Sequence, residues 1–405
     1  MAFRKIEARY VITTPMYLGG HASNVASERM REASFKGALR FWWRALMWNE
    51  AWQAAHEDEG AALGLLRQWE GQLFGVAAEK GKDSRASMFR LRCFVSGNEK
   101  NADKRDKLAG VGWQYLKGQG LNYRKAAFAP GDEITAVLLL HPRITTEQVD
   151  QLLKALVALG LFGGIGARSR RGVGSVAIQS LDVNGHAKGI LPQKANELSE
   201  ALNWLGVSKE NLKCPLPPFA AFSKESRVDG VNLNISDFGC QFMNWRGYYE
   251  SDCINAKSKP EEKGTPLFKE DHDNLLDATL GNHPKELPRR AVFGLPHNYF
   301  FKSVYDENKK YGYENRVARR MATSIVNYKS AFIRSSEKHE RHASPFLIHF
   351  HERGALQCII QTFLPNKFVE KELSIKGKRT WSMPFKPDWQ VVHDFMNAIA
   401  GTRIL

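Results

Sequence analysis

Residues 163–176 read GGIGARSRRGVGSV, with Arg168, Arg170 and Arg171 set among five glycines. Glycines such as Gly164 and Gly166 can take positive φ and bring backbone N–H groups close to an anion. Arginines add fork-shaped contacts to phosphate oxygens. Three readings fit this pattern: a cradle for the phosphates of a nucleotide cofactor, a grip on a nucleic-acid backbone, or a sharp turn whose arginines are solvated. A second stretch, SFKGALRFWWRALMW at 34–48, interleaves cations with aromatic rings. At about 100° per helical residue, Phe35, Leu39, Trp42 and Leu46 gather on one face. Lys36, Arg40 and Arg44 span an arc of about 80° beside it, with Trp43 between that arc and the apolar face. Cations next to an aromatic ring suit a backbone phosphate and a stacked base together. The plainer alternative buries both tryptophans and lets the cations reach water on their alkyl stems. We assign Trp42 to the core and take Lys36, Arg40 and Arg44, with Trp43 beside them, as candidate anion contacts.

Composition favours an anionic partner. The 405 residues carry a formal net charge of +15, which makes nucleic acid the first candidate and an acidic membrane surface the second. With 43% hydrophobic and 25% charged residues, the chain is that of a folded domain pair rather than a disordered polyelectrolyte. No stretch approaches the roughly 20 apolar residues of a membrane span, and the N-terminus lacks the apolar block of a signal peptide, so a cytoplasmic protein is expected. Cys93, Cys214, Cys240, Cys253 and Cys358 are scattered without a CxxC pair. That spacing predicts free thiols in a reducing compartment and no metal site.

The elements that must position these residues follow from periodicity. Residues 3–13, 87–96, 132–141 and 174–183 alternate as strands. A helix capped by Ser34 is expected from about Phe35 into the mid-fifties, and a second over 145–160, ending in glycine. The polar, lysine-rich stretch 97–131 is expected to be a loop excursion. The order is βαββαβ, the split-βαβ or ferredoxin-like arrangement with helices on one face of an antiparallel sheet. RNA-recognition modules of this topology use the other face to meet nucleic acid. The expectation is therefore an α+β chain: a first ferredoxin-like domain over 1–185, a linker over 186–216, and a second, decorated copy over 217–405. Residues 254–290 read as an insertion.

This order decides against a cofactor loop. The dinucleotide fingerprint and the Walker A loop both follow a strand and open a helix. Here the helix precedes the glycine-rich loop and the strand follows it. Nothing matches GxxxxGK[ST], and Gly164-x-Gly166 lacks the third glycine at its place. No cofactor is expected, while the polymer grip and the plain turn both remain open.

A family resemblance separates them. The strand leading to TPMYLGG (14–20), the helix entry RxxSFKGALRFWWRAL (31–46) and the loop GLFGGIGARSRRGVGS (160–175) resemble the RAMP proteins of CRISPR effector complexes. With FGLP (293–296) and RHASPFLIHF (341–350), the pattern is most similar to subunit one of the type III-B (Cmr) RNA-guided complex. Glu32 and Ala33 stand where a Pro-Ser pair is common, and His342 where a second arginine is usual. The resemblance implies two ferredoxin-like domains and an RNA-binding subunit at one end of a ribonucleoprotein for antiviral defence. Such a subunit holds the 3′ region of the guide RNA and the target RNA, beside other Cmr and RAMP subunits that do the cutting. It also implies Lys36, Arg40, Arg44, Arg168, Arg170, Arg171 and Arg341 as RNA contacts.

The rival is a metal-independent endoribonuclease, since relatives within the RAMP superfamily process CRISPR RNA. That chemistry needs a base for the 2′-hydroxyl and a cation for the scissile phosphate. His21, after Gly19-Gly20, is the candidate base. HERH (339–342) is not a zinc motif, and His349 and His351 share a strand face without a third ligand.

Overall fold

The computed structural model describes residues 4–18, 30–77, 84–96, 108, 110–118, 121, 128–246, 266–295, 297–300, 330–335, 342–367, 372–376, 379–399 and 401–405. The strands β1 (Lys5–Ile12), β2 (Phe89–Ser96), β3 (Glu133–Leu140) and β4 (Val176–Val183) form where alternation is clearest. In β1, Ile6, Ala8, Tyr10 and Ile12 are buried, which fixes the face that meets the helices. The sheet order is β4-β1-β3-β2, with the short β5 (His186–Ala187) outside β4, and neighbouring strands are antiparallel.

Helix α1 spans Glu32–Ala54, so it begins before Ser34, and Arg31 at its N-cap makes no side-chain capping bond. Ser34 is therefore an internal residue rather than the cap. A further helix, α2 (Glu59–Phe74), is capped by the Asp58 carboxylate, which accepts from Ala61 N. A short α3 (Val111–Lys117) interrupts the polar excursion. Helix α4 (Thr146–Phe162) starts with a capping box between Thr145 and Gln148 and runs to Gly163. The buried Tyr10 hydroxyl donates to Leu156 O at 3.0 Å, tying the sheet to α4.

After α5 (Glu197–Leu205) a second sheet draws on distant segments: β6 (Arg227–Val231), β9 (Phe346–Arg353), β10 (Leu356–Phe363) and β13 (Thr402–Arg403). Its order is β13-β6-β10-β9, again antiparallel throughout. With the short β5 left aside, both sheets run in the order last, first, third, second. In sequence, α6 (Ile235–Arg246) and α7 (Pro266–Leu280) lie between β6 and β9, and α8 (Gln390–Ala398) lies between β10 and β13. A third sheet, β12-β11-β8-β7, comes from β7 (His297–Phe300), β8 (Ser330–Ser335), β11 (Glu372–Lys376) and β12 (Thr380–Pro384).

The chain divides into two compact units. The first holds residues 1–240, 346–366 and 399–405, and with them the first two sheets; the second holds 241–345 and 367–398. In the second unit Leu275, Ala278, Ala291, Leu295, Leu373 and Ile375 form the core. There the Asp271 carboxylate accepts from the backbone of Arg289 and Arg290 and from Arg290 Nε. Cys93, Cys214 and Cys358 are free thiols as expected, whereas Cys240 is disulfide-bonded, a pairing that cysteine spacing did not indicate.

Candidate nucleic-acid interface

The glycine-rich loop is built as a stitched surface rather than a loose turn. Its two legs pair at Gly164 and Ser175, and Ile165 N donates to Gly174 O at 2.8 Å. The segment after β1 is sewn to it. Ala167 N donates to Tyr17 O (2.8 Å), Gly174 N to Pro15 O (3.1 Å) and Thr14 Oγ1 to Gly172 O (2.6 Å). Strand β9 holds the far side, where Ile348 N donates to Arg170 O and His349 Nδ1 donates to Gly163 O at 2.6 Å. The TPMYL and GGIGARSRRGVGSV stretches are thus one object.

Close approach explains the glycine at 166. Its φ is +97°, and a Cβ there would stand 2.5 Å from Tyr17 O. Gly166→Ala is expected to cost about 1–3 kcal/mol of stability. Hydrogen exchange should show the Ala167 amide losing protection while α4 keeps its own.

Arg168 is a non-glycine residue with φ +60°, in the left-handed region that an L side chain enters at a cost of about 1–2 kcal/mol. That turn lays its guanidinium against Gly118, where an added Cβ would come within 2.4 Å of Nη1. Lys117, one residue before, holds its ammonium 5.3 Å from the ring centroid of Tyr17. Arg170 stacks its guanidinium over Phe41 of α1 at 4.9 Å. Burial lowers the pKa of Arg168 and takes that of Arg170 down to about 10, so both stay cationic at neutral pH while partly stripped of water. A desolvated guanidinium attracts phosphate more strongly than a hydrated one.

Phe41 brings the two predicted stretches together. On the neighbouring arc of α1, Lys36 lies over Phe89 (5.3 Å), and Arg40 Nε donates to Glu70 Oε1 at 2.6 Å. Arg44 reaches the same oxygen at 3.8 Å. Glu70 belongs to α2 and is a counter-charge that the sequence reading missed. One carboxylate thus serves two guanidinium groups whose side chains remain about two-fifths exposed. Lys117 and Phe41 were also missed, because their roles depend on which ring lies beneath which cation.

Trp43 corrects the sequence expectation. It is wholly buried, packs edge-on against Phe74 at 5.7 Å and donates from Nε1 to Gln151 Oε1 at 3.2 Å. It therefore has no face to offer a base. Trp42 is core, as expected. Arg341 and His21 lie outside the described residues.

His349 and His351 do share a face of β9, with Nε2 and Nδ1 3.4 Å apart, and both are fully buried. Among the described residues no group of three or more His, Cys, Asp or Glu side chains is placed to hold a metal ion. No helix among them is long and apolar enough to cross a membrane.

Residues 9–177, which hold the glycine-rich loop, α1 and most of the first sheet but not the β9 clamp, match the RAMP superfamily model. No curated protein sequence matches the chain. Solved structures with the same fold extend beyond this matched segment to the whole length. The apo crystal structure of Cmr1 from Pyrococcus furiosus is 18% identical with a TM-score of 0.53, covering 99% of this chain and 98% of that one. A chain of the cryo-EM structure of the type III-B Cmr-beta complex bound to cognate target RNA is 12% identical with a TM-score of 0.50. That match covers 98% of this chain and 99% of the other.

Proposed function

We propose that the chain is an RNA-binding subunit of a type III-B CRISPR RNA-guided effector complex, working in the cytoplasm in antiviral defence. It contacts the 3′ region of the guide RNA and the target RNA at one end of the assembly, beside other Cmr and RAMP subunits. It holds RNA rather than cutting it. The observation that carries this reading is the stitched loop, which gathers Arg168, Arg170, Lys117 and the α1 cations on one RAMP domain. Support comes from the full-length likeness to Cmr1 and to a chain of an RNA-bound type III-B complex. The repeated strand order supports two ferredoxin-like domains, the second taking its strands from residues 217–405.

Base pairing between guide and target carries sequence specificity in such a complex, so the protein is expected to grip backbone. The test is purification from the native host with sequencing of the RNA and identification of the proteins that accompany it. CRISPR-derived RNA with several RAMP proteins is the expected result. RNA cleavage in EDTA by the chain alone, abolished by His21→Ala, would overturn the reading in favour of a nuclease.

A further inference from the structure

The helices cover one face of the first sheet; the opposite face carries a regular array that neither the loop nor α1 uses. Three lateral rows cross β2, β3 and β1. Arg90 pairs with Leu139, which pairs with Lys5. Arg92 pairs with Val137, which pairs with Glu7. Phe94 pairs with Thr135, which pairs with Arg9. Cross-strand partners project to the same side, so Leu139 and Val137 form a short apolar strip on β3 that ends at Thr135, with Arg90 and Arg92 on one side and Lys5, Glu7 and Arg9 on the other.

Exposure fits a surface built to be covered. Phe94 is 61% exposed and Leu139 41%, large values for apolar side chains on a sheet. Arg90 and Arg92 are exposed and have no ion-pair partner among the described residues. The acid within the rows, Glu7, is taken up by its own margin: Lys5 Nζ and Arg9 Nη2 each donate to it at 2.8 Å. Glu133, beside Ser96, closes one end of the array. Along β2 the side chains of Arg90, Arg92 and Phe94 stand about 6.8 Å apart, as alternate residues of a strand do.

We infer that this face is a second binding surface for single-stranded RNA, with Phe94 as a stacking platform and Arg90 and Arg92 on the backbone phosphates. The inference rests on the reading of the chain as an RNA binder and adds a surface separate from the glycine-rich loop. Four cations, Arg90, Arg92, Lys5 and Arg9, against two acids, Glu7 and its β4 neighbour Asp182, select a polyanion over an apolar protein partner. An exposed ring on an open sheet face selects unpaired bases over a duplex, whose bases are already stacked on each other.

The probe is a short poly(U) RNA carrying photoreactive thiouridines, used with the full chain. Irradiation should cross-link RNA to the peptide containing Phe94. Phe94→Ala should lower affinity for this strand about tenfold and leave affinity for a duplex of equal length unchanged. Arg90→Gln with Arg92→Gln should lower the slope of log K against log salt by about 1. In a loop variant, Arg168→Gln with Arg171→Gln, the Phe94 cross-link should persist.

If the chain binds no RNA at all, the functional proposal fails and takes this one with it. If it binds RNA through the loop, but Phe94→Ala changes neither affinity nor cross-linking, the sheet-face inference alone is overturned. Loss of a protein partner in the Phe94→Ala variant, with RNA binding intact, would assign the face to that partner instead. Phe94 is exposed, so the substitution should leave the thermal midpoint in place, and Phe94→Tyr should restore binding.

Discussion

Replacing Arg168, Arg170 and Arg171 together by glutamine should weaken binding to single-stranded RNA about 100- to 1,000-fold at moderate salt. The slope of log K against log salt should fall by about 2, the value for three lost phosphate contacts on a single strand. The bonds that shape the loop run through backbone atoms of Ile165, Ala167 and Gly174, so the loop keeps its form without these side chains. Glutamine keeps the alkyl stem of Arg170 and gives up the guanidinium stacked on Phe41. Anisotropy titrations across a salt series, with a thermal melt as control, measure both quantities. An unchanged slope in a folded variant would reduce the loop to a turn.

The second large effect is acid lability. Burial pushes the pKa of His349 down to about 3 and that of His351 to about 4; His351 adds a smaller lowering at His349, and Arg353 one at His351. In the unfolded chain both imidazoles return to the ordinary value near 6.5, so the unfolded state binds more protons between about pH 3 and pH 6.5. Stability is fully present above that window and falls as pH drops through it, by several kcal/mol in all. Urea denaturation at neutral pH and near pH 5 should show the loss. His349→Asn with His351→Gln should flatten the dependence, since amides do not titrate and the asparagine N–H can still donate to Gly163 O. Because His349 holds the base of the glycine-rich loop, RNA affinity should decline with acid before the first sheet unfolds.

Periodicity made the first half legible. The four strands, the capped helix α4 and the position of the loop between α4 and β4 all rest on local alternation, capping and glycine. The loop's chemistry was legible for the same reason, since arginines among glycines are visible in one short stretch. Trp43 was misplaced because α1 is covered from two sides, by the sheet and by α2. Its buried set, which includes Trp42, Trp43, Ala45, Met47 and Trp48, is wider than the single stripe assumed for a helix covered on one face. Missing α2 also hid Glu70, the carboxylate shared by Arg40 and Arg44. In the second half, β6 pairs with β10 across more than a hundred residues and β13 has only two residues. Neither fact leaves a local trace in the chain.

The clamp on the glycine-rich loop also sets a timetable. Gly163 is held by His349, 186 positions later, and Thr13 Oγ1 donates to Phe350 O, 337 positions later. A ribosome that has released the whole first sheet has still to make β9. The nascent first domain therefore carries its arginines for some time without the strand that fixes their loop. On the proposed function, firm attachment to RNA is expected only of the nearly finished chain, and a half-made subunit should bind transcripts weakly.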